Sequence, residues 1–282
     1  MVMISKPIVG IIGAILVIAV IAGVMLIHSQ SPSNDQSSAS QVTYKVLGTI
    51  YVYNVSYLSN YFMNPNVTKY INTFGSGVFY AISVNQSKGV MGYIQVKGPL
   101  ASMIFQYINK TLVRHGFQQG SYGSLIYDYK TKTAVGFDGR YIYVVHTNST
   151  NSTINVNLLI SLYNSNKQLP TTTEKGLIIS GNLPKLNFTG KLVNNQVILN
   201  FNYTGNNFDK LTKLLKRFLF ETDNLTITGN FVYKNSTFVI YSLNVNNTTY
   251  ALLGAEDHND MITGVIIVSN SSVSVNEIYS YL

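Results

Sequence analysis

Side chains fit for metal or acid–base work crowd together in Glu256-Asp257-His258-Asn259-Asp260. Carboxylates there would act as ligands or general bases, with the imidazole as their partner, which is the chemistry of a metal site or a hydrolase. Consecutive residues of a tight turn point in different directions, however, and Asp, Asn and Glu are ordinary turn formers. We read a solvated turn between two strands, with Glu256, Asp257, His258 and Asp260 as the residues a metal would use. The remaining histidines, His28, His115 and His146, stand alone. Gly120-Ser121-Tyr122-Gly123-Ser124 imitates a phosphate loop but leads into a strand instead of a helix. Lys210, Lys213, Lys216 and Arg217 form a basic stripe along an expected helix. The stripe reads as a solvated face, with phosphate, lipid headgroups or acidic glycans as the alternative. The chain has no Cys, which excludes disulfide scaffolds, thiolate metal sites and cysteine nucleophiles. Catalysis has no constellation to rest on, so neither an enzyme nor a cofactor is expected.

A second chemistry is modification. Asn-x-Ser/Thr, with x other than Pro, occurs at Asn54, Asn66, Asn85, Asn109, Asn148, Asn151, Asn187, Asn202, Asn224, Asn235, Asn246, Asn247 and Asn270. That is thirteen sites in this chain, where its Asn and Ser/Thr content alone yields about five or six. None precedes Asn54, and several fall at expected turns, where a glycan points into solvent.

The first residues explain that polarity. Ile8 to Ile27 are twenty consecutive apolar or glycine positions, enough to cross the hydrocarbon core as one helix. A cleaved signal peptide has a shorter apolar region with a small-x-small site directly behind it. Here the first such site, Ser38-Ala39-Ser40, lies far downstream. Lys6 and the amino terminus flank one side, and the next basic residue is Lys45. The positive-inside bias then leaves the tail in the cytoplasm and the bulk outside. Gly10 and Ala14, then Ala19 and Gly23, keep the small-xxx-small spacing that permits helices to pair. Ser29 to Gln41 has linker composition.

Charged residues make up only 11 % of the chain against 46 % hydrophobic, and 21 Tyr and 13 Phe supply a core. The net charge of +8 comes from scarce acids more than from abundant bases. The Tyr residues alternate along strands as sheet-packing residues do, so no nucleic-acid platform is expected. With its apolar anchor, Ser-rich linker and Asn/Thr/Tyr-rich, Cys-free exterior, the chain resembles membrane-anchored surface glycoproteins of thermophilic, often acidophilic, archaea. That resemblance implies a compartment and no activity; an envelope protein or glycan is the partner class it suggests. The start also resembles archaeal type IV pilins, whose leader ends in a basic residue followed by Gly or Ala. Lys6-Pro7 departs from that pattern, and a filament subunit is the alternative.

The elements that must position these residues read as strands punctuated by a few helices. Gly98-Pro99 opens a helix to about Arg114, with Leu100, Met103, Ile104, Tyr107, Ile108 and Leu112 on one face. A second helix lies near Ile154–Tyr163, and a third, from Asn207 to Glu221, carries Phe208, Leu211, Leu214, Leu215 and Phe218. Runs from Lys88 and from Asn195 resemble each other, as do Thr133–Phe137 with Tyr250–Gly254 and Val156–Tyr163 with Val275–Leu282. The expected fold is α+β: an amino-terminal transmembrane helix, then an antiparallel-sheet-rich extracellular region of two related ββα-βββ-α units. The expected divisions are a cytoplasmic tail (1–6), the membrane helix (7–28), a linker (29–42) and two extracellular units (43–169 and 170–282).

Overall fold

A computed structural model describes residues 42–57, 72–85, 87–176, 178–193, 196–205, 226–233, 236–245, 249–258 and 260–269, and positions 274, 276–277 and 280–281. The apolar segment 8–27 with its small residues, the linker, and the helix expected over 207–221 with its basic stripe lie outside the described residues. The chain divides into two compact units, Met1–Leu177 and Ile178–Leu282.

In the first unit three strands, β1 (Lys45–Tyr53), β2 (Phe74–Val84) and β3 (Ser87–Val96), precede helix α1 (Ala101–Arg114). Four more follow: β4 (Gln118–Tyr122), β5 (Leu125–Lys130), β6 (Thr133–Phe137) and β7 (Tyr141–Thr147), then helix α2 (Ser152–Asn164). Their order in the sheet is β1-β2-β3-β7-β6-β5-β4, antiparallel throughout. The second unit contributes β8 (Ile178–Leu183), β9 (Leu186–Val193) and β10 (Gln196–Thr204), then β11 (Thr226–Tyr233), β12 (Ser236–Val245), β13 (Thr249–His258) and β14 (Met261–Ser269). Its order, β8-β9-β10-β14-β13-β12-β11, is the first unit's order strand for strand. The sequence runs from Lys88 and Asn195 fall on β3 and β10, and those from Thr133 and Tyr250 on β6 and β13, which are equivalent places.

The expected fold class is therefore corrected. The described chain is dominated by antiparallel sheet, with α1 and α2 its long helices, and each unit runs three strands and then four instead of ββα-βββ-α. Among the described residues no helix is long and apolar enough to cross a membrane. The strands missed from sequence are β4, β8 and β9. β4 is an edge strand whose residues are almost all exposed, so it has no apolar side to betray a period of two. In β8 and β9 glycine stands where ring and methyl groups pass: a Cβ on Gly181 would lie 2.3 Å from Phe188 Cε1, and one on Gly190 2.1 Å from Leu199 Cδ2.

Helix α2 lies on one face of the first sheet. Leu158, Leu159 and Leu162 pack with Val78, Ile82, Met91, Tyr93, Leu125, Ala134, Tyr143 and Val145, all buried. Asn151 caps the helix, its side-chain oxygen accepting from the Thr153 amide at 3.0 Å. Buried Asn155 is satisfied at both ends: its oxygen accepts from the Thr147 hydroxyl and its amide donates to the Thr131 carbonyl, each at 2.8 Å. Helix α1 buries Ala101, Ile104, Phe105 and Ile108, while Met103, expected on the inner face, is 53 % exposed. Phe105 takes that role because it stacks on Phe137 at 5.0 Å.

Candidate functional site

Three strands of the second unit set out a grid of amides and hydroxyls. Register places Asn182 opposite Asn187 and Asn187 opposite Asn202, with Ser180, Thr189 and Asn200 forming the next row. Alternation puts both rows on the same side of β8, β9 and β10. All four asparagines and Thr189 are exposed, while Leu183, Leu186, Phe201 and Tyr203 are buried. Two of the asparagines, Asn187 and Asn202, are sequon residues and face each other across the strand pair. Such a face offers donors and acceptors without charge.

The other described sequons divide by what their amides already do. Asn85 sits exposed in the β2–β3 turn at φ 45°, Asn148 is exposed after β7, and Asn151 caps α2 through its oxygen alone. The Asn54 amide instead donates to the carbonyls of Glu174 (3.3 Å) and Gly176 (3.1 Å), and the Asn109 amide donates to Asp128 Oδ1 at 3.2 Å. Asn66, Asn224, Asn235, Asn246, Asn247 and Asn270 lie outside the described residues.

In the first unit a polar and aromatic cluster closes one end of the sheet. Asp138 opens the β6–β7 turn and accepts from the Arg140 and Tyr141 amides at 2.8 and 2.7 Å, with Gly139 at φ 94°. Its second oxygen accepts from the Tyr143 hydroxyl at 2.5 Å. Lys167 lies 5.4 and 5.2 Å from the rings of Tyr143 and Tyr163 and donates to the Tyr163 carbonyl. The Tyr93 hydroxyl donates to the Gln168 carbonyl at 3.1 Å. Burial pushes the Tyr93 and Tyr143 phenols up, and for Tyr143 the Asp138 carboxylate adds to it. Both keep their protons under ordinary conditions, so neither serves as a base. The cluster ties the chain after α2 to the sheet; sequence reading had these tyrosines as packing residues and had no signal for Lys167.

Glu256, Asp257 and His258 are the last residues of β13, opposite Thr263, Ile262 and Met261 of β14, so they are strand residues as much as turn residues. Asp260 occupies the turn at φ 67°. Among the described residues no three His, Cys, Asp or Glu side chains gather where a metal could sit. His146 hydrogen-bonds Thr133 at 2.9 Å, and burial, with Lys132 adding, lowers its pKa. Sequence reading missed one acid: Asp128 in β5 is fully buried, and its Oδ2 has no hydrogen-bond partner.

No family model matches the chain, and no curated protein does. Among solved structures, crystal form III of TP0453 matches at 13 % identity over 88 % of this chain and 100 % of that one, with a TM-score of 0.39. Crystal form IV of TP0453 matches at 12 % identity over 84 % and 92 %, with a TM-score of 0.38. Superpositions this loose assign neither fold nor activity.

Proposed function

We propose that the chain is a non-enzymatic surface glycoprotein, held to the membrane by its apolar segment 8–27, with a structural, adhesive or binding role at the cell envelope. The observation that carries this reading is the sorting of sequons. Of the seven described, Asn85, Asn148, Asn151, Asn187 and Asn202 are exposed, and only Asn54 and Asn109 are half-buried with their amides engaged. Exposure is what an oligosaccharide needs. Glycans on those positions would hydrate a surface whose charge content is low.

Glycopeptide mass spectrometry on protein taken from its own membrane tests the reading. Glycans are expected on most of the five exposed sites and absent from Asn54 and Asn109. Bare asparagine at all thirteen sites would sink the glycoprotein. The same digest reads the amino terminus: an intact Met1-Val2-Met3-Ile4 supports the anchor, and cleavage directly after Lys6 would make the chain a filament subunit.

A further inference from the structure

The strand order of the first unit ends in β4, and among the described residues β5 is the only strand that pairs with it. Gln118, Gln119, Ser121 and Tyr122 are exposed. Sheet edges are ordinarily guarded by a charge, a proline or a bulge. β11, at the end of the second unit's order, has such a guard in a register shift between Ile227 and Gly229. β4 (Gln118-Gln119-Gly120-Ser121-Tyr122) has neither charge nor proline, and its ladder with β5 is regular from end to end.

The hairpin fixes which groups that edge offers. Gly123 and Ser124 make a two-residue turn, so Tyr122 and Leu125 form its closing, hydrogen-bonded pair. Alternation then turns the amides and carbonyls of Gln118, Gly120 and Tyr122 toward β5, and those of Gln119 and Ser121 outward. A second β4, laid antiparallel with Gly120 opposite Gly120, sets Gln119 against Ser121 on both sides of the axis. Each such pair exchanges N–H···O bonds in both directions. The adjacent registers do not. One needs the Phe117 amide, which already donates to the Leu112 carbonyl at 3.1 Å, and the other needs Gly123, in the turn at φ 57°.

The centre of this pairing suits close approach. Opposed residues with no hydrogen bond between them bring their Cα atoms to about 4.5 Å, and Gly120 has no side chain to obstruct that. The Tyr127 ring fills the space from β5: a Cβ on Gly120 would lie 2.5 Å from its Cζ and 2.6 Å from its hydroxyl oxygen. The hydroxyl end of the ring is thereby carried over β4, and a two-fold axis at Gly120 brings the rings of both copies together. Exposed sequons stay clear of the edge. Asn148 and Asn151 follow β7, three strands or about 14 Å away, and Asn85 lies beyond β3.

We propose that β4 is a dimerisation edge, at which a second copy of this chain adds its own β4 about a two-fold axis at Gly120. The first units of the two copies then share one continuous antiparallel sheet. The inference stands independently of the glycans and of the anchor.

The full-length chain, which has no cysteine of its own, is made as Gln119→Cys and as Ser121→Cys. The two are mixed in neutral detergent micelles, left to exchange and oxidised. Positions 119 and 121 of opposite copies face each other, while 119 to 119 and 121 to 121 are more than about 8 Å apart, too far for a disulfide. The mixed disulfide is therefore expected to exceed each like-with-like dimer at least about fivefold. Sedimentation should give the natural chain as a dimer and Ser121→Pro as a monomer with the same melting curve, because the lost amide faces outward. Should Ser121→Pro fold poorly, Ser121→Lys reads the same loss by charging both sides of the axis. Equal yields of the three disulfides, or a monomeric natural chain, overturn the proposal. So does a dimer that survives Ser121→Pro and Ser121→Lys but is lost with Gly10→Leu, since the apolar segment would then hold it. Slow hydrogen exchange at Gln119 and Ser121 in a monomer overturns it as well, by showing the edge covered by the chain's own residues.

Discussion

Asp128 is the residue at which packing and charge are most at odds. Its carboxylate is fully buried, Oδ1 accepts from Asn109, and Oδ2 has no partner. Ionising such a group costs more than protonating it, so burial raises its pKa, with hydrogen bonds from Gln119 and Asn109 pulling the other way. The raised value fixes the sign of the pH dependence. The stability Asp128 contributes is complete below the ordinary carboxylate range and is lost as pH rises through its folded value. Asp128→Asn cannot ionise. Its melting temperature, taken relative to the natural chain, should therefore climb between about pH 4 and pH 7. A difference that stays constant across that range would show that folding does not raise the pKa of this carboxyl. A buried acid of this kind leaves no trace in the sequence, where Tyr127-Asp128-Tyr129 reads as one more polar position in a strand.

Among the elements, α2 shows best what the sheet requires. Leu159 is fully buried and its Cδ2 would lie 3.2 Å from a Cβ on Gly136, so the helix approaches β6 at a position where a side chain has been removed. Leu159→Ala should cost about 2–5 kcal/mol, against a few tenths for Met103→Ala on the exposed side of α1. Chemical denaturation with an unchanged slope would measure both, and similar losses for the two would contradict the packing. These elements also mark how far the sequence could be read. Tyr, Val and Ile recur in β3 and β7, which makes those strands legible, and Asp138-Gly139 is a hairpin signal for the β6–β7 turn. Met103 was placed on the inner face of α1 where Phe105 belongs, because both flank Ile104 and only the ring of Phe137 decides between them. β4, β8 and β9 were lost because exposed polar or glycine-interrupted strands carry no period. The Asn182, Asn187 and Asn202 grid escaped for the same reason: two of its three strands, β8 and β9, were not foreseen.

At the scale of the whole molecule, two units repeat one strand order while differing in charge. The repeat of topology is therefore not a repeat of surface. This distribution bears on orientation. Eleven basic residues in the first unit oppose only Lys6 and the amino terminus on the other side of the apolar segment. Counted naively, the positive-inside bias would turn the chain around. It is counted over short flanks, however, and from Ile27 the first basic residue is Lys45, at the far edge of that range. Folded domains translocate largely regardless of charge, and sequons are modified only on the translocated side. The two signals conflict just enough to make the measurement worthwhile. Proteinase K added to intact cells should strip the chain beyond the linker and leave a short membrane-bound stub containing Ile8–Ile27. A trypsin stub would have to extend to Lys45, because Ser29 to Gln41 contains neither Lys nor Arg. Protection of everything after Lys45 until the cells are lysed would place both units in the cytoplasm, and the surface role would fall with the orientation.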